Sequence, residues 1–128
     1  MREKHHAPPL VLSKWLCDRA QRWADELTKK GEFEHSDCVE NGKRMGENIF
    51  WYSATAKPGM ASKSWYSEIK DYKYEDGEKS WDKCGHFTQI VWIGSTEVGF
   101  GFSKGNVVGN YYPAGNMMGT FSKNVLKP

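Results

Sequence analysis

The order of signals along this chain predicts an α+β fold, with helices packed on the faces of an antiparallel sheet. Three observations carry that expectation. Leu16, Ala20, Trp23, Ala24 and Leu27 recur at helical spacing, and Ala61, Trp65, Ile69 and Tyr72 form a second apolar stripe. After them Val98, Phe100 and Phe102 alternate with Gly99, Gly101 and Ser103, the period of a strand. With 128 residues the chain forms one domain, able to withdraw roughly two thirds of its unfolded surface from water.

Met1 to Leu12 carries Pro8-Pro9 and reads as an extended connector, with His5-His6 a solvated terminus. The first helix runs from Ser13, an N-cap candidate, to Lys30, with Lys29-Lys30 at the negative end of the helix dipole and Gly31 just beyond. Glu32 to Gly46 is polar and mostly loop; Ile49, Phe50 and Trp51 follow in a segment whose type the pattern leaves open. Pro58 suits the first turn of the second helix, on which Glu68 borders the buried stripe. Tyr74 to Cys84 has no periodicity and reads as a long surface loop. The β-branched run Ile90 to Ile93 is expected to be a strand beside a hairpin whose second arm is Val107 to Tyr112, after a turn at Lys104-Gly105. The glycines at 99, 101, 105, 109, 115 and 119 are too dense for a uniformly packed sheet, so some mark bulges or close backbone approach.

Composition narrows the function. Lys and Arg number 18 and Asp and Glu 16, mixed along the chain with no basic run longer than two, so nucleic acid is not an expected partner. The longest uninterrupted apolar run, Ile90 to Ile93, is far short of the ~20 residues of a bilayer-spanning helix. Cys17, Cys38 and Cys84 allow at most one bridge, Cys38 to Cys84, and Cys17 reads as a small buried hydrophobe. Cys84 could equally be bridged or a free surface thiol. The opening residues have neither an apolar leader segment nor a glycine at position 2.

Two histidines and two glutamates, His35, Glu47, Glu68 and His86, are the residue types that hold a borderline-soft divalent ion. Their gaps of 12, 21 and 18 residues match no local ligand motif, so spacing alone favours four unrelated polar side chains. Ser53 and Thr88 are available hydroxyls, but no nucleophile elbow surrounds them. Tyr72, Tyr74 and Trp81 in a charged loop either contact an apolar partner or fold back to seal the core.

Gly85-His86-Phe87-Thr88-Gln89-Ile90-Val91-Trp92 resembles the first signature of the CAP superfamily, which groups cysteine-rich secretory proteins, antigen 5 and plant pathogenesis-related proteins. Gly46-Glu47-Asn48-Ile49 and Trp65-Tyr66-Ser67-Glu68-Ile69 resemble two further family segments. Val108 to Asn116, with Pro113-Ala114-Gly115-Asn116, is similar to the second signature and nearest to the Golgi-associated branch. The resemblance implies a three-layer α-β-α sandwich with a central antiparallel sheet, and a cavity where His35, Glu47, Glu68 and His86 converge. It implies a divalent metal, zinc, on His35 and His86, with the carboxylates in an outer-shell role.

The resemblance also implies sterol, fatty-acid or membrane binding, with Tyr72, Tyr74 and Trp81 as the loop residues concerned. Its alternatives are a hydrolase in which Ser53, His35 and Glu47 form a Ser-His-Glu arrangement across a homodimer, and a protein-interaction module in defence or secretion. A non-catalytic binding module is the expectation. By the resemblance only the tail of the family's first helix, Met1 to His6, is present, which leaves open an extracellular protein with a missing leader or one on the cytoplasmic face of the Golgi membrane. The few cysteines and the lack of a cysteine-rich extension place channel-blocking activity out of reach.

Overall fold

A computed structural model describes residues 1–128. Its centre is a four-stranded sheet in the order β1 (Val11–Leu12), β5 (Glu97–Ser103), β6 (Asn106–Tyr112), β4 (Gly46–Trp51). Strand β6 runs antiparallel to both of its neighbours, β5 and β4, and the two-residue β1 adds a parallel edge to β5, which makes the sheet mixed. The hairpin turns at Lys104-Gly105, as its sequence predicts, and the open segment around Ile49 is strand β4. A separate ribbon of β2 (Val39–Glu40) and β3 (Lys43–Arg44) closes the loop before β4.

Helix α1 (Lys14–Lys30) covers one face of the sheet. Gly31 ends it in the left-handed conformation at φ 69°, donating to Leu27 O, whereas Ser13 occupies the N-cap position without a capping bond from its hydroxyl. The glycine alternation in β5 makes this packing close. A Cβ on Gly99 would stand 2.1 Å from Cys17 N, and one on Gly101 2.3 Å from Gln21 N. Ala20, Ala24 and Leu27 thereby reach Ile49 and Val108 in a small core. On the other face α2 (Pro58–Tyr66) and α3 (Gly85–Val91) bury Trp65, Phe87, Val107 and Tyr111 in the larger core. The short α4 (Phe121–Asn124) adds Phe121 to that core. The three layers agree with the predicted sandwich.

Several local expectations are corrected. Ile90 to Ile93 is not a strand: Gly85–Val91 is helical and Phe87 to Val91 are all buried. A short apolar run cannot distinguish a buried helix from a buried strand by periodicity. The second helix leaves α geometry after Tyr66 and continues as a 3-10 turn over Ser67–Asp71. The segment Tyr74 to Cys84 contains a 3-10 stretch, Gly77–Lys83, instead of being wholly irregular.

The N-terminus is no solvated connector either, because Arg2–His5 is a 3-10 turn with Arg2 and His5 buried. His5 Nδ1 donates to Leu126 O at 2.7 Å and Nε2 accepts from the Tyr66 hydroxyl at 2.8 Å. The three cysteines are all unpaired, Cys17 is only half-buried, and Cys84 is enclosed in the larger core.

Candidate functional site

Strand β4 places Glu47 beside Asn110 of β6, and the loop after α1 brings His35 and Ser36 back over it. Glu47 is buried and accepts four different donors: His35 Nδ1 at 3.0 Å, Ser36 N at 2.9 Å, Ser36 Oγ at 2.6 Å and Asn110 Nδ2 at 3.1 Å. Burial pushes its carboxyl pKa upward, but the hydrogen bonds from His35, Ser36 and Asn110 outweigh it and hold Glu47 below the usual range. The same hydrogen bond raises His35 against the opposing effect of its own burial.

Glu68 builds the second half. It leaves the 3-10 turn after α2 and meets the start of α3, where Oε1 accepts from His86 N at 3.0 Å and Phe87 N at 3.2 Å. These amides begin a helix and have no partner within it, so the carboxylate satisfies them as an acceptor. Glu68 Oε2 accepts from His86 Nδ1 at 2.8 Å. The His86 ring lies nearly parallel to Trp65, 14° between planes and 6.0 Å between centroids, and Trp65 is itself pinned through Nε1 to Ile49 O. Asn48 Nδ2 donates to His86 O. Asn116 ties the rim to α3, accepting from Thr88 Oγ1 at 2.6 Å and donating to Gly85 O.

His35, Glu47, Glu68 and His86 thus line one cavity of ≈ 270 Å³. A carboxylate can only accept, so both rings carry their proton on Nδ1 and keep the Nε2 lone pair when neutral. The structure adds Asn48, Trp81, Asp82 and Asn116 to the cavity wall. Sequence reasoning missed Asn116 and Ser36 as supports; their nearness depends on loops whose path no periodic signal reports.

Ser53 lies elsewhere. It lines a separate groove with Trp51 and Tyr52, and Glu47 takes its hydroxyl contact from Ser36, so Ser53, His35 and Glu47 do not assemble within one chain. Tyr72 is buried and touches Tyr74 and Phe87, Tyr74 packs on the same core, and Trp81 lies against Phe121. Of the two readings open for these aromatics, folding back on the core is the one observed. Cys84 is no exposed nucleophile: its thiol donates to Ser80 O, and burial pushes its pKa up to about 11.

Residues 1–115 match the CAP family, described as the cysteine-rich secretory protein family. Human Golgi-associated plant pathogenesis-related protein 1 is 36% identical over 134 residues, covering 99% of this chain and 86% of that protein. Venom allergen 5 2 of Polybia paulista is 37% identical over 86% of this chain, which spans only 59% of the allergen. Among solved structures, NaASP2 with Zn2+ superimposes with a TM-score of 0.71 at 27% identity, covering 95% of this chain and 69% of that one.

Proposed function

The chain belongs to the CAP family, and from that premise we propose that it is a non-catalytic binding protein whose cavity holds one divalent cation, zinc by the chemistry of its donors. The observation behind this reading is a duplicated device: each cavity histidine gives its Nδ1 proton to a carboxylate of its own. Such a bond fixes the tautomer and orientation of a ligating imidazole and increases its basicity. The donor set fits the ion, since zinc takes neutral imidazole nitrogen and completes its shell with water where protein ligands are few. With Nδ1 of each ring engaged by its carboxylate, His35 and His86 are the proposed protein ligands through Nε2, and Glu47 and Glu68 their supports. That a 27% identical relative was solved with Zn2+ favours the reading. Bound there, the ion would supply a positive centre for a polar or anionic ligand.

Calorimetry with zinc on the metal-free chain tests the proposal. The parent should bind one ion, and His35→Ala with His86→Ala should weaken it by at least ~100-fold, as expected when ligands rather than supports are lost. Equal affinity in the double variant rejects the cavity. Affinity should fall on acidification as protons compete for the rings, beginning above pH 6.5 because Glu47 raises His35.

A sterol, fatty-acid or membrane surface finds less support, because Tyr72, Tyr74 and Trp81 are spent on the core. The three unpaired thiols favour the cytoplasmic face of the Golgi membrane over an extracellular location, in line with the Golgi-associated relative.

A further inference from the structure

A groove of ≈ 910 Å³ lies apart from the His/Glu cavity. Its walls are the C-terminal end of α1 with the residues after it, the end of β4 with its following loop, and the β5–β6 turn. The volume falls within the range of small-molecule sites. The groove is held open by backbone bonds, Tyr52 N to Gly105 O at 2.9 Å and Ala56 N to Lys104 O at 2.8 Å. A Cβ on Gly105 would stand only 2.0 Å from Tyr52 O, so the turn and the loop are already in tight contact.

Of the chain's six tryptophans, five have their rings engaged. Trp15 packs on Tyr112, Trp23 lies beneath Lys30, Trp65 stacks on His86, and Trp81 and Trp92 meet Phe121. Trp51 is the exception: it is 58% exposed, and Phe33 at 52% and Tyr52 at 46% line the same groove. Three large exposed aromatics along one concavity mark a contact surface rather than scattered surface apolarity.

The polar lining says which chemistry fits. Glu32 and Lys104 cancel in charge, so the groove offers no net attraction to an anion or a cation. Asn106 is 7% exposed, and its Oδ1 has no donor. The orientation of that amide follows from its neighbour. Thr28 Oγ1 gives its only proton to Ser103 O and must therefore accept from Asn106 Nδ2, leaving Oδ1 as the orphan. That oxygen is sealed beneath the groove, so the side-chain hydroxyls a ligand can reach are those of the exposed Ser53 and Thr55.

We propose that this groove binds a neutral, hydroxyl-bearing ring compound, a saccharide by chemical class. One face of such a ring presents C–H groups to the Trp51 indole, and its hydroxyls exchange bonds with the exposed Ser53 and Thr55. An acyl chain would cover the aromatics but strip water from the Ser53 and Thr55 hydroxyls without pairing them; a phosphorylated or carboxylated ligand would meet no net positive charge. The proposal does not depend on the metal reading.

Ligand-observed saturation-transfer NMR with cellotriose and maltotriose tests it on the full chain, alongside titration of tryptophan fluorescence. At least one trisaccharide should bind saturably, and Trp51→Ala should weaken it by ~5-fold or more, since stacking on one aromatic ring accounts for on the order of 1 kcal/mol or above. Trp51→Tyr should restore most of the affinity, and His35→Ala with His86→Ala should leave it unchanged. Because Trp51 is exposed, Trp51→Ala should melt like the parent. The proposal is overturned if neither sugar binds, if Trp51→Ala binds as well as the parent, or if octanol binds in the groove and the sugars do not. A Trp51-dependent dimer in sedimentation, with no sugar binding, would assign the groove to a second copy instead.

Discussion

Glu47 shows how much one side chain can carry. It is sealed from water, yet four donors keep it ionised, and it turns His35 into a ring with a defined free nitrogen. Glu47→Gln retains the volume but places an NH2 group where donors converge. Denaturant unfolding should show a loss of ~1–3 kcal/mol from mispaired buried groups, and zinc affinity should drop ~10–100-fold. A variant with parental stability would mean that the four contacts are not formed together. His5 offers a pH test. Burial is the main cause that lowers its pKa, so the folded state favours the neutral ring. The unfolded chain takes up the proton first, near pH 6.5, so this contribution is present above that pH and is lost as pH falls toward the depressed folded value. Thermal melts from pH 7.5 to 5 should record the decline, and His5→Gln should flatten it.

At the level of elements, the sandwich depends on helix α1 lying directly on the β5 backbone. Gly101→Val drives a branched side chain into the backbone at Ala20 and Gln21, which cannot move without shifting the helix. The expected cost is ~3 kcal/mol or more, read as a lowered denaturation midpoint. Gly59 in α2 is the control: a Cβ there meets nothing within 4 Å. Gly59→Ala should be neutral or stabilising by up to ~1 kcal/mol, because alanine forfeits less freedom in a helix than glycine. Equal effects at the two sites would contradict the close packing of α1 on β5.

Over the whole molecule, the two ends of the chain are fastened to the face that carries His86. Arg2 donates to Pro8 O and, 3.0 Å or less away, to the carbonyls of Ile90, Trp92 and Ser95 at and beyond the end of α3. His5 holds Leu126. Arg2→Ala leaves buried carbonyls without donors and should lower stability by ~3 kcal/mol. Arg2→Lys should recover little, since an ammonium cannot span four carbonyls as a planar fork does. A full rescue by lysine would show that the charge, and not the fork, is what matters.

The residues alone determined the architecture: the stripe from Leu16 to Leu27, the alternation from Val98 and the punctuation at Gly31, Pro58 and Lys104-Gly105 are local patterns that follow from backbone geometry. The family resemblance likewise grouped His35, Glu47, Glu68 and His86, although nothing in their spacing explains why they meet. Tertiary structure decided whatever depends on long-range packing. Ile90 and Val91 end a helix whose residues from Phe87 on are all buried, with Trp92 already extended, and Tyr72 joins the core because Phe87 is there to receive it. Arg2 and His5 are buried because carbonyls some 90 and 120 residues away lie within reach of their donors. Trp51 lies open on a groove although its neighbour Phe50 packs on the core, since successive side chains of a strand face opposite ways and only the completed sheet determines what covers each face.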